Sequence, residues 1–171
     1  PNGQLVIRKQ FPVTFKPNAQ KGGTLYFPTF FYWMGELRET SIWPTLGQIA
    51  EQFGSGQYGA VTNHTRLHIL GDATTPDMIE GRLWVSDVGG PQGSTLTLTF
   101  DWRRMLPGGG WERIAWSEQQ TTWVRILNHG IVEPEPFPDY FQKFVDQFRP
   151  SQVDSQKNGT PKALPQLEIH R

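Results

Sequence analysis

The chain has 171 residues, 36% of them apolar and 19% charged, and its 16 basic and 16 acidic side chains leave no formal net charge. That length allows one domain with a real core. Zero net charge excludes a nucleic-acid binder that works through bulk charge, because neutralising phosphates needs a basic surplus. No run of 18 apolar residues occurs, so no membrane-spanning helix is expected, and no Lys/Arg-headed apolar leader is visible. The first residue is Pro rather than Met, which points to a trimmed product or a domain cut from something longer. Cysteine is absent. This removes disulfides, thiolate metal sites and cysteine nucleophiles, and it fits a cytoplasmic protein. The aromatic fraction of 13% is high, so large rings must carry much of the burial.

Residues 5–15, LVIRKQFPVTF, alternate well enough for a strand, with Leu5, Ile7, Phe11, Val13 and Phe15 on one face and Lys9 as the exception. Pro12 moves that strand towards an edge or a bulge. Residues 16–24, KPNAQKGGT, form a loop by their Pro, Asn and Gly content. From 26 to about 43 the apolar residues do not alternate. Phe27, Phe31 and Met34 fall on one side of a helix, and Phe30, Trp33 and Leu37 on another. A helix apolar almost all round is expected to be surrounded by protein. Pro28 is tolerable in its first turn and Pro44 ends it. A short helix follows at 44–53, closed by Gly54.

Four strands come next, at 60–70, 79–88, 94–106 and 111–127. In the first, Val61, Leu67 and Ile69 are assigned to one face. In the third, Leu96, Leu98, Phe100 and Trp102 alternate with Thr95, Thr97, Thr99 and Asp101, the pattern of a half-buried strand. The fourth loses phase around Ser117-Glu118-Gln119-Gln120, which suggests a bulge. An amphipathic helix is expected at 138–148, and a polar, disordered tail over 150–171. The order of elements fits an α+β fold, one twisted antiparallel sheet of five or six strands wrapped round a single apolar helix. The domain would span 1–149. Such a sheet has open edges, so a homodimer or homotetramer is expected.

The stretch GGTLYFPTFFYWMGELRET resembles the segment that opens the central helix in hot-dog-fold acyl thioesterases of the 4-hydroxybenzoyl-CoA type, in particular the branch found beside enediyne polyketide synthases. Gly23, Tyr26, Phe27, Trp33, Gly35, Arg38 and Glu39 carry the match, and the strand order over about 5–137 adds topology but little identity. The resemblance implies a hot-dog domain that hydrolyses a polyketide or polyene thioester on an acyl carrier protein, through its phosphopantetheine arm, at a dimer interface. No metal or organic cofactor is implied. The family's usual catalytic Asp or Glu has no counterpart in the loop KPNAQKGG. The enediyne-type branch has Asn in that loop and Arg on the helix, which here are Asn18 (with Gln20 as the other candidate) and Arg38. That branch tends to have Tyr where this chain has Phe30.

In this reading Arg38 supplies a fork of permanent N–H donors, and Asn18 an amide for the carbonyl oxygen or the water. Backbone N–H groups near Thr24 to Phe27 add the positive end of the helix. Gly23, Thr24, Tyr26, Phe27, Phe30, Phe31 and Trp33 are the candidate substrate-binding residues. Without a carboxylate, direct attack by water is simpler than a covalent acyl-enzyme, and a β-keto acid product could lose carbon dioxide. The competing readings are structural. Arg38 would pair with Glu36, Glu39 or a strand carboxylate. Asn18 would be a turn residue, and the aromatics would be core. A small acyl-CoA substrate, or a catalytically silent acyl-binding partner of a synthase, are the rival functions. His64 and His68, four apart on a strand, lie roughly 13 Å from one another and make a poor metal pair. The sequons at 63–65 and 158–160 are treated as chance. The turns GPQG and PGGG lack the Lys-Ser/Thr of a phosphate loop. Asn128-His129-Gly130 falls after the last strand and is set aside.

Overall fold

The computed structural model describes residues 4–15 and 23–150. Asn18 and Gln20, the tail at 151–171 and the sequon at 158–160 lie outside the described residues. The elements run β1 (Leu5–Pro12), α1 (Thr29–Ser41), α2 (Trp43–Gly54), β2 (Tyr58–Ile69), β3 (Met78–Gly89), β4 (Thr95–Met105), β5 (Trp111–Ile126), β6 (Val132–Pro134) and α3 (Asp139–Phe148). The strands form one antiparallel sheet in the order β1-β3-β4-β5-β2, with short β6 pairing the far end of β5. This is the expected sheet wrapped over a helix, and Pro12 does close an edge strand.

Alternation on the strands decides which face meets α1. Phe100 and Trp102 on β4, and Leu83 and Val85 on β3, are almost fully buried beneath it. Trp102 is the centre of an aromatic cluster. Its ring lies 5.4 Å from Phe30 and 6.0 Å from Trp33, and Trp33 stacks on Phe11 at 4.9 Å. Such pairs each add about 1 kcal/mol beyond their burial. Gly81 on β3 makes this approach possible. A Cβ there would stand 2.5 Å from the Trp102 ring and 2.8 Å from a Leu37 methyl.

Two sequence expectations change. First, α1 is not buried all round. Thr29, Phe30, Trp33, Met34 and Leu37 face the core, while Phe27, Phe31 and Tyr32 are exposed. A single concave sheet covers only one side of a helix, and among the described residues nothing buries Phe31 and Tyr32 on the other side of this helix's first turns. The helix also begins at Thr29 and stops at Ser41, so Pro44 sits in the first turn of α2 rather than ending α1. Second, the face assignments on β2 and β5 shift. Asn63 bulges out of β2, since Thr62 pairs with Thr121 and His64 with Gln120. The bulge sends Val61, opposite Thr122, to the other face from Leu67, opposite Ser117. On β5 the extra residue is Ile114, not one of the four at 117–120, because Trp102 pairs with Ala115 and Arg103 with Arg113.

The outer face of the sheet is polar and internally paired. Asp101 is 2% exposed and accepts from Arg103 at 2.6 Å and from Arg113 at 2.5 Å. His64 lies 3.2 Å from Glu118, and His68 stacks on Trp116 with ring centroids 4.0 Å apart.

Candidate functional site

The break in β5's pattern at 117–120 has a cause other than a bulge. Ser117, Gln119, Thr121 and Trp123 follow one another on the inner face, and three of the four are polar. Each has a separate task. The Ser117 hydroxyl accepts from the buried Trp102 indole N–H at 3.0 Å, which lets that ring sit in the core without a stranded donor. Gln119 accepts from Arg38: the guanidinium Nη1 donates to Gln119 Oε1 at 2.7 Å. The Thr121 hydroxyl is buried and finds no hydrogen-bond partner among the described residues. Trp123 is part of an apolar wall.

Beyond Arg38 the space between the sheet and the helices opens into a cavity of about 380 Å³. Its walls come from Ile42, Ile49 and Phe53 on the α1–α2 side, Val85 and Leu98 on the sheet, and Trp123 at depth. Phe137 and the α3 residues Phe141 and Phe144 complete it, and Arg38, Glu39 and Ser41 also line it. This volume falls at the small end of the range for ligand pockets, and an apolar lining with few polar groups is their usual composition.

Arg38 is the exceptional group in it. It occupies the last turn of α1, partly buried, beside an apolar void. Among the described residues its side chain bonds to a neutral amide. The carboxylates proposed to neutralise it are placed otherwise: Glu36 pairs with Lys9, and Glu39 is exposed at the rim with no ion pair to Arg38 among the described residues. A partly desolvated cation is expensive, and Arg38 has no counter-charge among the described residues, which makes it a candidate for function.

The other expected site residues lie elsewhere. Gly23 adopts φ +83°, a conformation that favours glycine, and its carbonyl accepts from the Thr75 N–H at 2.8 Å. Thr24 bridges to Thr74, so this segment is tied to the loop before β3. Tyr26 and Phe27 touch edge to face at the surface before α1, and Phe31 is exposed on its first turns. Phe30 and Trp33 belong to the aromatic core around Trp102. None of these seven lines the cavity. The start of α1 and Arg38 stand nine residues apart on one helix, about 13 Å along its axis, so a single chain does not bring the helix N-terminus and the guanidinium together. Gln119, Thr121 and the phenylalanines of α3 were missed from sequence. The signal for the first two was present: polar residues at every second position on a strand whose inner face is otherwise apolar.

The α3 wall is held mainly by rings. Phe141 stacks on Trp123 at 5.8 Å and meets Phe137 at 5.2 Å, and Trp123 in turn meets Phe53 of α2 at 5.1 Å. The Tyr140 hydroxyl donates to Gln52 Oε1 at 2.5 Å. Burial pushes the Tyr140 phenol above its ordinary value, so it remains a donor at physiological pH.

No protein-family model matches the chain, and no curated protein matches it significantly. Solved structures do match. A dynemicin thioesterase studied for polyene binding superposes with a TM-score of 0.71 at 20% identity, covering 85% of this chain and 97% of that one. The 4-hydroxybenzoyl-CoA thioesterase of Pseudomonas sp. strain CBS-3 gives a TM-score of 0.64 at 12% identity, over 83% of this chain and 99% of that one. A 1,4-dihydroxy-2-naphthoyl-CoA thioesterase from Synechocystis gives 0.65 at 12%, over 81% and 94%. The fold is therefore that of the hot-dog thioesterases.

Proposed function

We propose that the protein is a thioesterase that hydrolyses a linear acyl thioester, a polyketide or polyene chain carried on an acyl carrier protein. The observation that carries the reading is Arg38, a partly buried cation hydrogen-bonded to a neutral amide beside an apolar, chain-sized cavity. The acyl chain lies in the cavity and the thioester carbonyl meets the guanidinium. Water adds to the carbonyl carbon and gives up a proton, the tetrahedral oxyanion is held by Arg38, the C–S bond breaks as that oxyanion collapses, and the departing thiolate takes up the proton the water released. Gln119 fixes the guanidinium through Nη1, leaving its other N–H groups for the oxygen. Asn18 is retained as the second polar group of the site. A β-keto acid product would lose carbon dioxide after release. The likeness to a thioesterase studied with polyene supports a long chain, and the lack of cysteine is consistent with a cytoplasmic setting.

The same reading takes the protein to act as a homodimer. Strand β2 is an open edge carrying exposed Val61 and Ile69, and the exposed aromatics of α1 need cover.

Thiol release tests the activity. The purified chain is incubated with acyl-CoA and acyl-carrier-protein thioesters from acetyl to long β-ketoacyl, beside Arg38→Ala. Loss of one oxyanion donor is expected to lower the rate by about 10²–10³-fold with folding intact. No release by the wild type from any thioester, together with tight binding of an acyl chain, would replace the enzyme by a silent acyl-binding protein. An Arg38→Ala chain that releases thiol at the wild-type rate would remove Arg38 from the mechanism.

A further inference from the structure

The cavity has a direction. Arg38 is bonded to Gln119, and Trp123, on the same face of β5, lies four residues further along, about 13 Å at strand rise. Phe141 stacks on Trp123 there, Phe144 stacks on Phe141, and both α3 rings line the cavity. We propose that α3 is the end wall of the acyl channel and that Phe141 and Phe144 set the length of chain the protein accepts. This rests on the reading of the cavity as an acyl site.

An extended chain that starts at Arg38 reaches the Trp123–Phe141 stack after about ten carbons. A longer chain must bend or displace a ring. The wall can be moved without dismantling the fold. Helix α3 belongs to no strand ladder and follows a Pro-rich stretch, with Pro134, Pro136 and Pro138 in alternation. Phe141 and Val145 anchor it, whereas Phe144 is only half-buried. Among the described residues, polar ties from α3 and its C-cap to other elements run from Tyr140 to Gln52 and from Arg149 Nη2 to the Val88 carbonyl at 3.3 Å. Specificity for length thus sits on one short helix, apart from the guanidinium that handles the thioester.

The test is the binding of free saturated fatty acids from eight to eighteen carbons to the full chain, by displacement of a fluorescent fatty acid. Wild type, Phe144→Ala and Phe141→Leu are compared. Wild-type affinity is expected to rise with each methylene up to about ten to twelve carbons and then stop rising. In Phe144→Ala the break point moves to longer chains, with about tenfold tighter binding of a chain two carbons beyond the wild-type limit. Phe141→Leu, which keeps most of the anchor's volume, moves it in the same direction. An unchanged break point in both variants, or no break point in the wild type, overturns the end wall. Thiol release is scored separately. A moved break point without hydrolysis leaves the end wall standing and removes the enzyme. Arg38-dependent hydrolysis with an unmoved break point does the reverse.

Discussion

Thr121 and Gln119 sit two residues apart on the same strand face, yet only one of them is bonded. Gln119 accepts from the guanidinium, while the Thr121 hydroxyl is buried against an apolar wall with no partner among the described residues. An unpaired buried hydroxyl costs about 1–3 kcal/mol. Thr121→Val keeps the shape and removes the stranded group. The unfolding free energy of the protein is therefore expected to rise by about 1 kcal/mol, read as a higher urea midpoint at unchanged slope. A lower midpoint would mean that the hydroxyl is satisfied in solution. At this scale the sequence was legible for Arg38 and opaque for its partner. An arginine behind a run of aromatics stands out in one dimension. Gln119 is 81 residues away, and only strand pairing carries it under the helix.

Elements were easier to read than sites. The alternation on β4 located the sheet's inner face correctly, but the strand is not half-buried as expected, because Thr95, Thr97 and Asp101 on its other side are buried as well. Helix α1 was misjudged because apolar residues all round a helix say that every face avoids water, not which chain covers it. Its closeness to the sheet depends on Gly81. Gly81→Ala would drive a methyl into the Trp102 ring and Leu37, both fully buried, so neither can swing aside. The expected cost is about 1–3 kcal/mol, read as a lower thermal midpoint, with loss of the near-ultraviolet signal of the tryptophan cluster on the way. An unshifted midpoint would show that α1 can lift from β3. The cavity was not legible from sequence at all. It arises where α2 and α3 lean over the sheet beyond the end of α1, a gap lined by residues from Val6 to Phe144 that lie far apart along the chain.

At the scale of the whole molecule the two sheet edges differ. Edge β1 ends in a proline and offers Lys9, whereas edge β2 carries exposed Val61 and Ile69 and leads into exposed Leu70. Sedimentation at micromolar concentration is expected to give twice the chain mass, and Ile69→Lys to shift the equilibrium towards the monomer. A monomer at every concentration for the wild type would refute pairing through that edge. The bulge at Asn63 then has a consequence for polymerisation. It divides the open edge into two short runs, 58–62 and 64–69, so an added strand has no uninterrupted ladder along which to slide. Proline at the opposite edge removes a backbone donor that a further strand would need. The bulge thereby favours a closed pair over a growing fibre.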